Sequence, residues 1–130
     1  MLDRYTPYAL AALRIAAGLI FLLHGTQKLF GFPAPPPGGA LPAMFSMLWI
    51  GAVLELVGGV MIALGLFTRP VAFVLAGEMA VAYWMFHAPR NFYPVLNGGD
   101  AAILYCFVFF LLVFTGPGAL SLDRMLGRKA

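Results

Sequence analysis

The sequence predicts an all-α integral membrane protein, an antiparallel four-helix bundle with both termini in the cytoplasm. Of its 130 residues, 62% are hydrophobic and only 10% are charged, whereas a soluble globular domain has about 25% charged residues. A membrane helix needs about 20 mostly apolar residues, so four such segments use nearly the whole chain. We therefore expect a single transmembrane domain over residues 1–130 and no soluble domain.

The first helix is expected over residues 8–29. Thr6 is placed to act as its N-cap, and Pro7 occupies the first helical position, where a missing N–H costs nothing. The segment 30–46 contains five prolines and three glycines, a composition that ends one helix and prevents another from starting. The first two helices are therefore joined by an irregular loop.

The second helix is expected over 47–66 and the third over 70–87, joined by a short link in which Thr68 is placed to cap the third helix. These two helices form an antiparallel hairpin. A fourth helix over 99–115 is short for a membrane span. The segment 121–128 is typical of an interfacial helix, although a frayed basic tail is the alternative.

Positive charges in the short connections predict the orientation in the membrane. One side carries most of them, and the cytoplasmic side of a membrane protein has the excess of Lys and Arg. The richer side carries Arg4, Arg69, Arg124, Arg128 and Lys129, with Arg14 just inside it, against Lys28 and Arg90 on the other. Both termini are then cytoplasmic.

Three charged residues are expected deep in the membrane: Arg14, Glu55 and Glu78. A charge at this depth costs about 2.5 to 3.5 kcal/mol on insertion scales, so these side chains should face the bundle interior and find partners. One cation facing two carboxylates is not neutral, and we expect one carboxyl to carry a proton. The three are candidates for a proton relay, and a salt bridge that only fixes helix register is the alternative.

Helical periodicity supports an inward position for these groups. At 100° per residue, one stripe of polar and small residues on the first helix spans roughly 120° and contains Arg14, Gly18, His24, Gly25 and Lys28. One face of the second helix similarly contains Gly51, Glu55, Gly58, Gly59 and Ile62. The glycines would allow another helix backbone to approach closely around Glu55.

A second polar group is predicted towards the outer side, where it could hold an anionic or quinone-type headgroup. Its five candidate ligand-binding residues are His24, Lys28, Glu55, Asp100 and Tyr105, the last placed to hydrogen-bond into the same pocket. His87 and Arg90 lie nearby. The alternatives are that Asp100 only interacts with the helix dipole and that Tyr105 only packs.

Other cofactors and redox chemistries have less support. A haem between His24 and His87 is disfavoured because two isolated histidines without supporting spacing are more often structural. A metal site is not predicted, because no ligands are clustered along the sequence. The single cysteine, Cys106, excludes an internal disulfide or dithiol relay, and with it the four-helix oxidoreductases that exchange disulfides with quinone.

Several motifs together resemble the DoxX family. They are the run from His24 to Gly31, the run from Glu55 to Gly65 followed by Thr68-Arg69, and the run from Asn97 to Tyr105 with the ending from Gly116 to Asp123. The resemblance covers essentially the whole chain. One departure is Asp100, which stands where the family pattern has glutamate after Asn97-Gly-Gly.

The resemblance implies a multi-pass protein of the bacterial inner membrane. It does not select one function, because members of the family differ in function. Similar proteins include small subunits of a thiosulfate-to-quinone oxidoreductase and members of membrane complexes that protect against oxidative stress. We therefore expect a quinone-linked subunit that has a membrane or membrane-associated protein partner or forms a homo-oligomer, and that binds no nucleic acid. Without a haem or flavin motif, electrons would come from the partner. A non-enzymatic scaffold or chaperone, and a small-molecule transporter, are the alternatives.

Overall fold

The computed structural model describes residues 1–128 and contains no β-strand within that range. A 3₁₀ turn at Leu2–Tyr5 precedes the first helix. The α-helices are α1 (Thr6–Phe30), α2 (Met47–Leu64), α3 (Thr68–Ala82), α4 (Pro94–Asn97), α5 (Asp100–Thr115) and α6 (Leu122–Met125). Lys129, which counted towards the predicted orientation, lies outside the described residues. The all-helical prediction is confirmed.

Within the described residues, three helical segments are long and apolar enough to cross a membrane: Leu2–Phe30, Met47–Leu64 and Thr68–His87. The fourth long helix, α5, is apolar but has only 16 residues. At 1.5 Å of rise per residue its length is about 24 Å, less than the roughly 30 Å hydrocarbon core. The protein is therefore a membrane protein that sits in a lipid bilayer.

Two of the predicted helix caps differ in the structure. Thr6 and Thr68 are the first residues of α1 and α3, and the N-cap positions fall on Tyr5 and Phe67, neither of which makes a side-chain capping bond. Ser121 caps α6, because its hydroxyl accepts a hydrogen bond from the backbone N–H of Arg124. The helix that it caps is one turn long rather than extending over 121–128.

Helix α3 does not continue as a regular α-helix to its predicted end. After Ala82 the chain forms a π-helical turn at Tyr83–His87. Such turns insert an extra residue into the helical repeat and often lie at functional sites. Here the turn carries His87 at its last position.

Helices α1 and α2 are packed backbone against backbone. A Cβ added at Gly18 would lie 2.6 Å from the backbone nitrogen of Ala63, and one added at Gly25 would lie 2.6 Å from that of Leu56. Glycines permit this close approach, which favours helix association in membranes. The predicted inward orientation of these two glycines is confirmed, since both are buried.

Helices α3 and α5 form a second packed pair, which joins the first through a core of apolar side chains. The largest fully buried members are Phe21 of α1, Ile62 of α2, Leu75 of α3, and Phe109 and Leu112 of α5. Each of the four long helices therefore contributes at least one residue to this core. The core leaves a polar region at the end of the helices where α1 ends and α2 begins.

The segment that contains α6 folds back onto the link between α2 and α3. The two carboxylate oxygens of Asp123 accept hydrogen bonds from the backbone N–H groups of Phe67 and Thr68, at 2.8 and 2.9 Å. Asp123 thus caps α3 from 55 residues away. Burial opposes ionisation of this carboxyl, but the two backbone hydrogen bonds and the nearby Arg128 outweigh it and hold its pKa below the ordinary value.

Candidate functional site

A cavity of about 260 Å³ lies between the four long helices. Ionisable or polar side chains from α1, α2, α5 and the π-helical turn surround it: His24, Lys28, Glu55, His87 and Tyr105. Its remaining walls are mainly apolar and come from Phe21, Met79, Ala82, Ala101 and Ala102, with Gly98 at one edge. The structure therefore brings together four of the five residues predicted to bind a ligand.

An ion pair forms part of the cavity wall. The ammonium of Lys28 donates to both carboxylate oxygens of Glu55, with Nζ to oxygen distances of 2.8 and 3.0 Å. The Glu55 side chain is 5% exposed and that of Lys28 is 31% exposed. The pair neutralises both charges, which is the condition for keeping a carboxylate within an apolar helix bundle.

His24 and Tyr105 meet across the cavity. Their rings lie edge to face with centroids 5.8 Å apart, and Phe21 packs beside Tyr105 with its centroid at 5.0 Å. Within residues 1–128, neither polar side chain has a hydrogen-bond partner, and their polar atoms remain accessible. The imidazole of His24 and the hydroxyl of Tyr105 are therefore available to a molecule in the cavity.

His87 reaches the cavity in a defined orientation. Its Nδ1 lies 3.2 Å from the backbone carbonyl oxygen of Asn97, and since a carbonyl oxygen can only accept, Nδ1 carries the hydrogen. In a neutral ring Nε2 is then left as an acceptor. Asn97 is itself 2% exposed and fixed by a hydrogen bond to the carbonyl oxygen of Asn91, at 3.0 Å.

Arg14 does not belong to this site, and its predicted pairing with Glu55 and Glu78 is wrong. The side chain is completely buried, and its five N–H groups point to five backbone carbonyl oxygens at distances of 2.6 to 3.1 Å. The acceptors are Ile62 and Ala63 near the end of α2, and Pro117, Ala119 and Leu120 after α5. The last carbonyls of a helix lack intrahelical partners, so this end of α2 offers the guanidinium acceptors that no carboxylate needs to supply.

Glu78 and Asp100 lie outside the cavity. Glu78 faces α2, where a Cβ added at Gly51 would lie 3.2 Å from its Oε1, and its Oε2 is buried without a hydrogen-bond partner in the described part of the chain. Asp100 is the first residue of α5 and is exposed. Its neighbours Gly98, Ala101 and Ala102 line the cavity instead.

Two structural roles that position the site are not evident from the sequence. The cation opposite Glu55 is Lys28 rather than Arg14, and the residue that fixes His87 is Asn97. The run Asn97-Gly-Gly-Asp100 indicated an important turn. The prediction assigned a ligand-binding role there to Asp100 and none to Asn97. Within residues 1–128, no three His, Cys, Asp or Glu side chains are grouped as metal ligands, and Cys106 packs against the apolar core.

The helices and this cavity define the class of protein: a small helical membrane protein with ionisable groups gathered between its apolar helices. The family model named DoxX matches residues 9–88, and relatives match nearly the full chain. The chain belongs to the DoxX family.

Three relatives show how widely the family is distributed. An uncharacterized protein of Haemophilus influenzae is 44% identical over 131 residues, covering 98% of each chain. The inner membrane protein YphA of Escherichia coli K12 is 33% identical, covering 91% of this chain and 90% of its own. A Bacillus subtilis protein named "Putative oxidoreductase CatD" is 35% identical, covering 85% of this chain and 81% of its own. No solved structure matches this chain.

Proposed function

We propose that the protein is a bacterial inner-membrane subunit of a quinone-linked oxidoreductase or an oxidative-stress complex, and that its cavity binds a quinone-like headgroup. The observation that carries this proposal is the Lys28–Glu55 ion pair in one cavity with His24, His87 and Tyr105. Ionisable residues within membrane segments are costly and usually functional. The names of two relatives, "Inner membrane protein YphA" and "Putative oxidoreductase CatD", support the same proposal.

The cavity suits a flat ring with polar atoms at its edge. The ring of Phe21 and the side chains of Met79 and Ala102 offer apolar surface, while the Tyr105 hydroxyl is a donor for a carbonyl oxygen. Typical ligand pockets measure about 300 to 1,000 Å³. A cavity of about 260 Å³ suits a headgroup alone, so an isoprenoid tail would extend between the helices into the lipid.

The polar groups also support a role in proton handling. Reduction of a quinone to a hydroquinone consumes two electrons and two protons, and a partner protein would supply the electrons. In the reverse direction Nε2 of His87 is placed to accept a hydroxyl proton, because Nδ1 is committed to Asn97. The proton relay that we propose passes through Lys28 and Glu55, with Glu78 beside them and without Arg14.

The proposed arrangement is a four-helix transmembrane bundle with both termini cytoplasmic. Arg14, Arg69 and Arg128 lie near the end of the helices where α2 ends and α3 begins, whereas Lys28 and Arg90 lie near the opposite end. This distribution supports a cytoplasmic position for the first end. The cavity then opens near the outer face, and α5 crosses with help from the residues that flank it.

Extraction of bound lipophilic molecules tests the headgroup site. The protein is purified from native membranes, and co-purified quinones are quantified by mass spectrometry for the wild type and for His24→Ala, Glu55→Gln and Tyr105→Phe. We expect near-stoichiometric quinone in the wild type and at least a tenfold reduction in the first two variants. Tyr105→Phe removes one hydroxyl without changing the packing, so it keeps the test valid if Glu55→Gln fails to fold.

Asp100→Asn is the matched control, since it also neutralises a carboxylate but lies outside the cavity. It should retain wild-type quinone. Quinone at the background level of the membrane in the wild type, or equal amounts in all variants, would overturn the proposal. The scaffold alternative would then be supported if deletion of the protein lowered the abundance of a specific membrane partner.

A further inference from the structure

A groove of about 370 Å³ runs between α2 and α3 and shares no lining residue with the polar cavity that contains the Lys28–Glu55 pair. Apolar side chains form almost all of its walls, among them Leu54, Val57, Met61, Val71 and Val74. Val57 and Val74 are 52% and 50% exposed. The groove therefore opens sideways, towards the hydrocarbon of the bilayer.

This groove adjoins another cavity, with charged side chains in its wall, which we call the arginine cavity. Its volume is about 320 Å³, and its wall contains Thr68, Arg69, Pro117, Asp123 and Arg128. Phe67 and Pro70 line both the groove and the arginine cavity. The two spaces are thus adjacent, with an apolar part beside the helices and a charged part at their end.

The arginine cavity has more positive than negative charge. The guanidinium of Arg128 stacks over the ring of Phe67, with its carbon 3.8 Å from the ring centroid, and its side chain is 41% exposed. Arg69 donates to the carbonyl oxygens of Val113 and Phe114 through Nη1 alone. Its other N–H groups make no protein hydrogen bond within residues 1–128.

One carboxylate lies in the same cavity, but it is already committed. Both oxygens of Asp123 accept backbone hydrogen bonds, and its Oδ1 lies 3.9 Å from Nε of Arg128. Two cations and one carboxylate leave a net charge of about +1, and burial of Asp123 leaves the arginines as the groups that a ligand would meet. An anion is therefore the complementary partner.

We propose that the groove and the arginine cavity together bind one anionic phospholipid, with its phosphate at Arg69 and Arg128 and an acyl chain between α2 and α3. The apolar groove selects a lipid over a soluble anion, because a free phosphate has nothing to bury there. Basic pockets beside membrane helices on the cytoplasmic side are recognition sites for anionic headgroups. This site is separate from the polar cavity and does not depend on a quinone.

Native mass spectrometry in detergent tests the proposal with two lipids that have identical chains, dioleoylphosphatidylglycerol and dioleoylphosphatidylcholine. We expect the wild-type protein to retain the anionic lipid at least about threefold more than the zwitterionic one. Arg128→Gln should lower retention of the anionic lipid about fivefold, the effect of removing one basic residue at a charged membrane surface. Val57→Trp, which fills the groove, should lower retention of both lipids.

Arg124→Gln is the matched control, because Arg124 lies on the same segment, is exposed and lines neither space. Equal losses in Arg124→Gln and Arg128→Gln would overturn the proposal and indicate general attraction to positive charge. Equal retention of the two lipids by the wild type would also overturn it. Displacement of the bound lipid by millimolar inorganic phosphate would show that the cavity recognises a free anion, and would contradict the role of the groove.

Discussion

The Lys28 ammonium contacts both carboxylate oxygens of Glu55, at 2.8 and 3.0 Å, and joins the end of α1 to the middle of α2. The pair connects α1, whose stripe of small residues faces inward, with α2, against which that stripe packs. Neither residue is near its partner in sequence, since 27 positions separate them. The contribution of the Lys28–Glu55 pair to the free energy of unfolding can be measured separately from its role in ligand binding.

Single substitutions in this pair should destabilise more than the double substitution. Glu55→Gln leaves Lys28 without its counter-charge, and we expect a loss of about 3 kcal/mol in the free energy of unfolding. Lys28→Met combined with Glu55→Leu removes both charges and should recover at least half of that loss. Unfolding in mixed detergent micelles measures both. A double variant at least as unstable as Glu55→Gln would show that the unpaired charge is not the cause of the loss.

Arg14→Lys should destabilise the protein although the positive charge is retained. Lysine has three donors and no planar fork, so at least two of the five carbonyl oxygens would lose the hydrogen bond that Arg14 now donates. Each unsatisfied buried acceptor costs about 1 to 3 kcal/mol, and we expect a loss of at least about 2 kcal/mol. The exposed Arg4→Lys is the control and should leave the midpoint of thermal unfolding unchanged. A wild-type midpoint for Arg14→Lys would contradict the interpretation.

Gly18→Ala and Gly77→Ala should have opposite effects. A Cβ at Gly18 would meet the backbone of Ala63 at 2.6 Å, whereas a Cβ at Gly77 has no atom within 4 Å. We expect Gly18→Ala to separate α1 from α2 and to destabilise by at least about 1 kcal/mol. Gly77→Ala should be neutral or stabilise by up to about 1 kcal/mol, because alanine favours the helix. Thermal unfolding of both variants in one detergent gives the comparison.

Asp123→Asn should change how stability depends on pH. The pKa of Asp123 is lower in the folded protein than the unfolded value of about 3.9, so its carboxylate stabilises the fold above about pH 5. That contribution is lost as the pH falls through the folded pKa. The free energy of unfolding of the wild type should therefore exceed that of Asp123→Asn by about 1 kcal/mol at neutral pH. The two values should converge in acid.

Thermal unfolding between about pH 3 and pH 7 measures this difference. The exposed Asp3→Asn is the control, and it should not reproduce the loss at neutral pH. A constant difference between wild type and Asp123→Asn at all pH values would mean that the capping carboxylate gives no pH-dependent stability.

The apolar runs and their interruptions were sufficient to predict the long helices, because local composition determines both. Helical periodicity also placed His24 and Lys28 on the inward face, and both line the cavity. The partner of Glu55 could not be assigned in this way. It depends on how far α1 is shifted along α2, and the sequence contains no measure of that shift.

Contacts between distant segments were equally inaccessible to sequence reasoning. Thr68 had the residue type and position of a cap, yet Asp123 supplies the capping oxygens from the other end of the chain. The acceptors of Arg14 are backbone carbonyls, which every residue possesses and no side-chain pattern reveals. Local signals predicted where the chain turns, and the tertiary contacts determined which groups meet.

The positions of the charged partners along the chain set the order in which charge is compensated during synthesis. Lys28 and Glu55 belong to the first two helices, so their pair can form as soon as that hairpin enters the membrane. Arg14 needs the carbonyl groups of Pro117, Ala119 and Leu120, which the ribosome makes about one hundred residues later. The first helix therefore enters the membrane with a cation whose set of partners is completed only when the segment after α5 has been made.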